Sequence, residues 1–314
     1  MDKNNRKETG KRKKFYRAVS LAAAAAFFLC VCWLAFEFLV QPRLEDRSQD
    51  ELREAYRSGI SSAPSGAPGK PDRLGALKKI SPDLAGWITV PRTGIDLPVV
   101  QAAASAPEFY LTHDYRGQAS SYGCVFAGCR APVGDSDSRS VILYGHSLLS
   151  GRMFTRLKDY KSLDFYKTSP LIFFDTGKGP EKWIILSVFV TNTLPEQGKP
   201  FDYTKSRFAG DGDYLNFVYQ LRIRSLYNTG VSFNARDRIL LLSTCSYEFK
   251  DFRQVVVARR VRAGENVSGA ADRAAGNPKV LYPDCWYEKY GGKKPDWPAT
   301  YEQAKKENLL SWRE

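Results

Sequence analysis

From Leu74 to Val261 the chain alternates short apolar runs with turn residues. GWITV (86–90) and IDLPVV (95–100) read as strands separated by the turn Pro91-Arg92-Thr93-Gly94. GCVFAG (123–128), SVILYGH (140–146), LIFFD (171–175), KWIILSVFV (182–190), RILLLSTC (238–245) and RQVVVARRV (253–261) complete eight expected strands, most of them rich in Val and Ile. Two stretches carry a helical period instead. Over 152–160, Met153, Phe154, Leu157 and Tyr160 share one helical face. Over 213–226, Leu215, Val218, Tyr219, Arg222 and Leu226 do the same, with Asp211 or Asp213 as the expected N-cap. Irregularly spaced strands with two helical excursions predict a mainly β domain with helical insertions. The pattern fits a partly closed barrel better than an α/β layer fold.

The N-terminal pattern is of another kind. Ala18 to Phe36 is 19 residues without a charge, extended past Glu37 by Phe38, Leu39 and Val40. A helix of that length spans about 28 Å, close to the hydrocarbon thickness of a bilayer. Residues 1–17 hold eight Lys or Arg against two acids, a net of +6. That tail predicts a cytoplasmic N-terminus by the positive-inside rule. A cleaved signal peptide would have a shorter apolar core and a small-x-small site. This run is longer and is followed by Phe, Trp and Glu, so 18–40 reads as an uncleaved single-pass anchor with the rest of the chain outside.

Between anchor and domain, 43–57 is highly charged and predicts a solvated helix. Residues 58–71 are Ser, Gly, Ala or Pro at twelve of fourteen positions, the composition of a linker. The expected organisation is a basic tail (1–17), an anchor (18–40), a stalk (41–75), a catalytic domain (76–262) and a C-terminal extension (263–314). The extension is rich in Tyr, Trp and Lys, with a short helix expected over 300–311 and packing on the domain surface as its expected role.

Composition narrows the chemistry. Of the 314 residues, 47 are Lys or Arg and 34 Asp or Glu, a net of +13. Nearly half of that excess sits in the first 17 residues. The body shows no basic run interleaved with aromatics, so nucleic acid is not an expected partner. Six cysteines are too few for a disulfide scaffold, and no HExxH, CxxC or Walker loop appears; no metal or other cofactor is expected. Cys124 and Cys129 could pair outside the cell, although free thiols are the favoured reading. Cys30 and Cys32 read as apolar filler of the anchor, and Cys285 has no assigned role.

Only two histidines are present, so any imidazole chemistry falls to His113 or His146. His113 lies among polar residues in YLTHDYRG and is expected in solvent. His146 closes the run Val141-Ile-Leu-Tyr-Gly-His146, where Gly145 permits close approach. Cys245 closes Arg238-Ile-Leu-Leu-Leu-Ser-Thr-Cys245, a strand end that would hold a nucleophile firmly yet open to substrate. Arg253 opens the next strand eight residues on. In a hairpin it would return beside Cys245, where a guanidinium can hold a carbonyl or an oxyanion.

The string LLSTC followed by an Arg at the start of the next strand resembles the sortase signature. ILYGHSLLSGRMFTRLKDY, STCSYEF…RQVVVARR and GWITVPRTGIDLPVVQ are similar to segments of class B sortases, cysteine transpeptidases of Gram-positive bacteria. The resemblance covers about 76–262 and implies an eight-stranded sortase-type barrel with extra helices. It implies Cys245 as nucleophile, His146 and Arg253 as its catalytic partners, and Thr244 with Ser243 in substrate binding. It also implies the reaction. A C-terminal sorting motif of a secreted protein is cleaved through an acyl-enzyme thioester, and the acyl group passes to an amine of the cell wall precursor. Two alternatives stay open: an anchored cysteine peptidase that hydrolyses the same motif, and a non-catalytic barrel that binds the wall. The signature departs at Leu241, where Thr is usual, and at Ser246, where some class B members carry an acid; Glu248 is nearby.

Overall fold

All eight apolar runs form strands, and they close into one barrel. The computed structural model describes residues 3–61, 74–310 and 312, and it divides into two units, Met1–Glu54 and Ala55–Glu314. The strands are β1 (Leu84–Val90), β2 (Ile95–Gln101), β3 (Val125–Ala127), β4 (Ser140–Tyr144), β5 (Leu171–Asp175), β6 (Pro180–Thr191), β7 (Tyr227–Asn228), β8 (Ile239–Ser246), β9 (Phe252–Arg260) and β10 (Ala275–Gly276). The barrel order is β1-β2-β3-β4-β8-β9-β6-β5, and β5 pairs β1 through Trp87↔Asp175, Ile88↔Phe174 and Thr89↔Phe173. The barrel is therefore fully closed, where the sequence pattern suggested partial closure. β7 and β10 form a separate two-stranded sheet.

The pairs β2–β3 and β4–β8 are parallel, so each needs a long crossover. The crossover from β4 to β8 contains β5, β6 and both helical insertions. The first insertion is a 3₁₀ helix over Thr155–Lys161, then a short α-helix over Leu163–Thr168. The sequence pattern predicted one helix over 152–160, and the residue spacing explains the difference. Phe154, Leu157 and Tyr160 recur every three residues, which stacks them on a three-residue turn, and all three are fully buried. Ser162 then accepts from the Phe165 amide and starts the next helix. The second insertion is an α-helix over Asp211–Ile223. Its N-cap is Gly210, with no side-chain cap. Asp211 pairs with Arg139 at 2.7 Å, and Asp213 accepts from the Ala209 amide at 3.0 Å while pairing with Lys205.

Strand alternation sorts the core into two clusters. Leu240, Leu242, Val256 and Ala258 point into the barrel, with Leu143, Ile88 and Phe154. Ile239, Leu241, Val255 and Val257 point outward and are covered by Phe217, Val218 and Leu221 of the Asp211–Ile223 helix. Strands covered on both faces read as near-continuous apolar runs, which is why β8 and β9 stand out in the sequence.

Residues 263–310 pack on the domain surface, through helices at Asp284–Tyr290 and Tyr301–Lys306. Cys285 is buried against Val190 and Phe252, with Phe249, Tyr282 and Trp286 around it. In the N-terminal unit, helix Lys3–Ala35 and a π-turn at Phe36–Val40 contain a 27-residue stretch, Lys14–Val40, long and apolar enough to cross a membrane. A helix then runs over Gln41–Ser61, through the segment predicted to be helical. Its last turns, from Ala55, carry Tyr56, which is buried. Tyr56 stacks on Trp87 at 4.4 Å between ring centroids and donates to Asp175 at 2.9 Å. The linker expected over 58–71 falls mostly outside the described residues; 58–61 are helical.

Candidate active site

β8 continues its outward row from Ile239 and Leu241 to Ser243 and Cys245, so the thiol faces away from the barrel interior. In the antiparallel β8–β9 pair, Cys245 is the cross-strand partner of Arg253, and directly opposed side chains rise on the same face. The expected hairpin is thus present. β8 extends one residue beyond Cys245, and β9 begins one residue before Arg253.

β4 stops at Tyr144, so His146 stands two residues beyond the strand. Its backbone is pinned on both sides: the Gly145 amide donates to the Ser243 carbonyl at 3.2 Å, and the Phe154 amide donates to the His146 carbonyl at 2.9 Å. The imidazole Nε2 lies 2.8 Å from the Leu111 carbonyl. A carbonyl only accepts, so Nε2 carries the proton of this bond and Nδ1 is the nitrogen left to accept one. Gly145 has the close approach expected of it: a Cβ there would meet Phe154 Cγ at 2.8 Å. Gly123, at φ +61°, passes beneath the imidazole, and a Cβ there would sit 3.1 Å from His146 Cδ2. Gly145→Ala is therefore expected to push Phe154 and His146 apart. The cost should be about 1–3 kcal/mol in stability, from overpacking, together with slower turnover. Thermal melting and a rate measurement check both.

One cavity of about 510 Å³ is lined by all five expected site residues, His146, Ser243, Thr244, Cys245 and Arg253. Ser243 is buried and shares a hydrogen bond with the Tyr203 hydroxyl at 3.0 Å. Thr244 is buried with its hydroxyl unpartnered among the described residues. Arg253 donates to the Phe252 carbonyl at 3.1 Å and has no carboxylate partner among the described residues. Glu248 is engaged elsewhere, by Lys161 and Ser246. Burial raises its pKa, but the hydrogen bonds from Lys161 and Ser246 outweigh that and hold it below the usual carboxylate range. This trio ties the turn after β8 to the 3₁₀ helix.

The pattern did not single out Tyr144, Tyr203, Thr204 or Glu108, although the first is outward-facing on β4, the next two come from a loop, and Tyr144, Thr204 and Glu108 line the cavity. Burial raises the pKa of both tyrosines, so their hydroxyls stay protonated. Tyr144 could have been found as the outward residue of its strand. Nothing in the sequence places the loop over the groove. His113 lies outside the cavity. It is half-buried rather than solvated, stacked on Phe109 at 3.7 Å between centroids, with Nδ1 2.8 Å from the Phe109 carbonyl. Cys124 and Cys129 are free thiols.

A thiol, an imidazole and a guanidinium on the outer groove of a closed barrel define a cysteine-dependent barrel enzyme. A model of the sortase domain family matches residues 88–261. The chain is 30% identical to sortase B of Listeria monocytogenes over 183 residues, which is 58% of this chain and 70% of that protein. It is 31% identical to sortase B of Staphylococcus aureus over 189 residues, 60% of this chain and 74% of that one. A solved S. aureus sortase B–substrate complex superposes with a TM-score of 0.63 at 27% identity, covering 72% of this chain and all of that chain. The chain belongs to the sortase family, in its class B, and is a cell-wall sortase transpeptidase of the cysteine type.

Proposed function

We propose that Cys245 is the nucleophile that cleaves a C-terminal sorting motif of a secreted protein and carries the acyl group as a thioester. The observation that carries this reading is the cross-strand pairing of Cys245 with Arg253 in the cavity that His146 also lines. The thiolate attacks the scissile carbonyl, and Arg253 neutralises the oxyanion that forms. His146, having taken the Cys245 thiol proton on Nδ1, gives it to the departing amine as the C–N bond breaks, then takes one from the incoming amine of the cell wall precursor. That amine displaces the thiolate, so a peptide bond forms as the thioester breaks. The thioester conserves the energy of the broken bond, and no ATP is consumed. Ser243 and Thr244 form the floor on which the motif lies.

The solved S. aureus relative holds a substrate, which supports a peptide in this groove. The apolar helix at Lys14–Val40, behind the basic tail, anchors the chain with its N-terminus in the cytoplasm and residues 41–314 outside. Tethering raises the effective concentration of the site toward secreted substrates and lipid-linked precursors.

The test is product analysis. The full chain in detergent is incubated with a sorting-peptide library, with and without an amine, and the products are read by mass. Transfer predicts that the amine-linked acyl peptide dominates once amine is present. A peptidase that hands the acyl group to water would give the same hydrolysed product in both arms, and a non-catalytic wall-binding barrel would give neither product.

A further inference from the structure

A second cavity, of about 580 Å³, is lined by Thr191, the β6 residue that pairs with Arg253. One wall is the Asp211–Ile223 helix and its exit at Arg224; the other is residues 281–284 and Lys294 of the C-terminal extension. We propose that this cleft is a subsite for an oxyanion group, a carboxylate or phosphate, on the amine-bearing acceptor. The inference rests on the transfer reaction proposed above.

The charges in the cleft point to an anion. Lys205 is held by Asp213 and Lys294 by Asp284, which neutralises two of its acids. The third, Asp202, accepts from the Thr204 amide and hydroxyl at 3.0 and 2.6 Å. Arg224 and Lys199 have no carboxylate partner among the described residues. Arg224 lies over the Phe201 ring at 4.2 Å and holds Gln220 through Nη1 alone, at 2.8 Å. Its second amino group and Nε donate no hydrogen bond among the described residues. Burial lowers its pKa to about 10, which leaves it charged near neutrality. A flat guanidinium and a lysine lining one cleft are the donor set that carboxylates and phosphates take.

Position ties the cleft to the acceptor rather than the donor. Thr191 lines it and is the cross-strand partner of Arg253, on the side away from Cys245. The segment 201–205 separates the two cavities, with Thr204 facing the candidate active site and Phe201, Asp202 and Lys205 facing the cleft. The first cavity runs from Cys245 the opposite way, over β4 toward Cys129 and Glu108. An acyl chain held there leaves the Arg253 flank as the open approach to the thioester. The cleft wall at 281–284 and Lys294 lies outside the matched family region, 88–261, so it comes from the C-terminal extension.

The test uses the full chain in detergent with a cleaved sorting peptide as donor. Three acceptors are compared: tri-alanine, tri-alanine amide, and tri-alanine ended by aminoethyl phosphate. The parent is expected to show at least a tenfold lower acceptor KM for one of the anionic probes than for the amide, and which probe wins names the source of the anion. Arg224→Gln and, on an exposed loop, Lys199→Gln should each raise that KM several-fold. Both should leave the amide KM and the donor cleavage rate into water within twofold of the parent. Equal KM values for the three acceptors in the parent, or variants that shift all three together, would overturn the subsite alone. Absence of donor cleavage by the parent would overturn the transfer reading, and the subsite with it.

Discussion

Cys245→Ala is expected to reduce cleavage of any sorting peptide by about 10⁴-fold or more, to background, because among the described residues no other thiol on the groove stands opposite an arginine across a strand pair. Cys124→Ala, Cys129→Ala and Cys285→Ala should keep most of the activity. Cys124 and Cys285 are buried packing residues, 5% and 7% exposed. Cys129 is the stricter comparison, since its side chain lines the same cavity. It sits just past β3, however, and has no arginine opposite it across a strand pair. Rates with one saturating peptide, and the site of modification by an alkylating reagent, settle the assignment. Inactivation that leaves Cys245 unmodified would show the wrong thiol has been chosen.

Arg253→Ala is the second large effect, expected to slow turnover by about 10²–10³-fold, the usual loss when one oxyanion donor is removed. Arg253→Lys should recover only part of this, because a point charge does not reproduce the planar fork. A guanidinium does not lose its proton at working pH, so its role is electrostatic rather than acid–base. The competing role is structural: an arginine that closes the β8–β9 turn by pairing with Glu248 or Asp251. Glu248 is already held by Lys161 and Ser246, and Arg253 lines the cavity. The alanine variant should therefore melt cooperatively near the parent temperature. A fall in melting temperature with near-normal turnover would falsify the electrostatic role.

The eight barrel strands were legible because each is a short apolar run, most of them rich in Val and Ile, closed off by turn residues. β8 and β9, covered on both faces, gave the clearest signal of all. The juxtaposition of Cys245 and Arg253 was legible too, since a separation of eight positions permits a short hairpin connection. What escaped lies where side-chain period carries no information. β7 and β10 are two residues each, too short for any alternation to show. The Phe154, Leu157 and Tyr160 series was read as an α-helix because a spacing of three satisfies both helical templates over one or two turns. Asp211 and Asp213 suit an N-cap by residue type, but Arg139 and Lys205, distant or outside the helix, claim them. Tyr203 reaches Ser243 from a loop that follows β6 by a dozen residues, and no local pattern fixes where such a loop lands. The aromatic extension shows the opposite case. Its Tyr and Trp content implied packing, and Cys285 and Trp286 do pack on Phe249 and Phe252 behind the β8–β9 turn.

The central claim is that the acyl group is carried on Cys245 as a thioester, and the most direct measurement is to catch it there. The full chain is mixed with a sorting peptide in the absence of amine, quenched in acid within the first turnover, and analysed by intact mass and by digestion. The account predicts a mass increase equal to the peptide up to the cleaved bond. The adduct should lie on the fragment containing Cys245, be released by hydroxylamine, and be absent when amine is added before the quench. Turnover without any adduct, or an adduct on a fragment lacking Cys245, would contradict it.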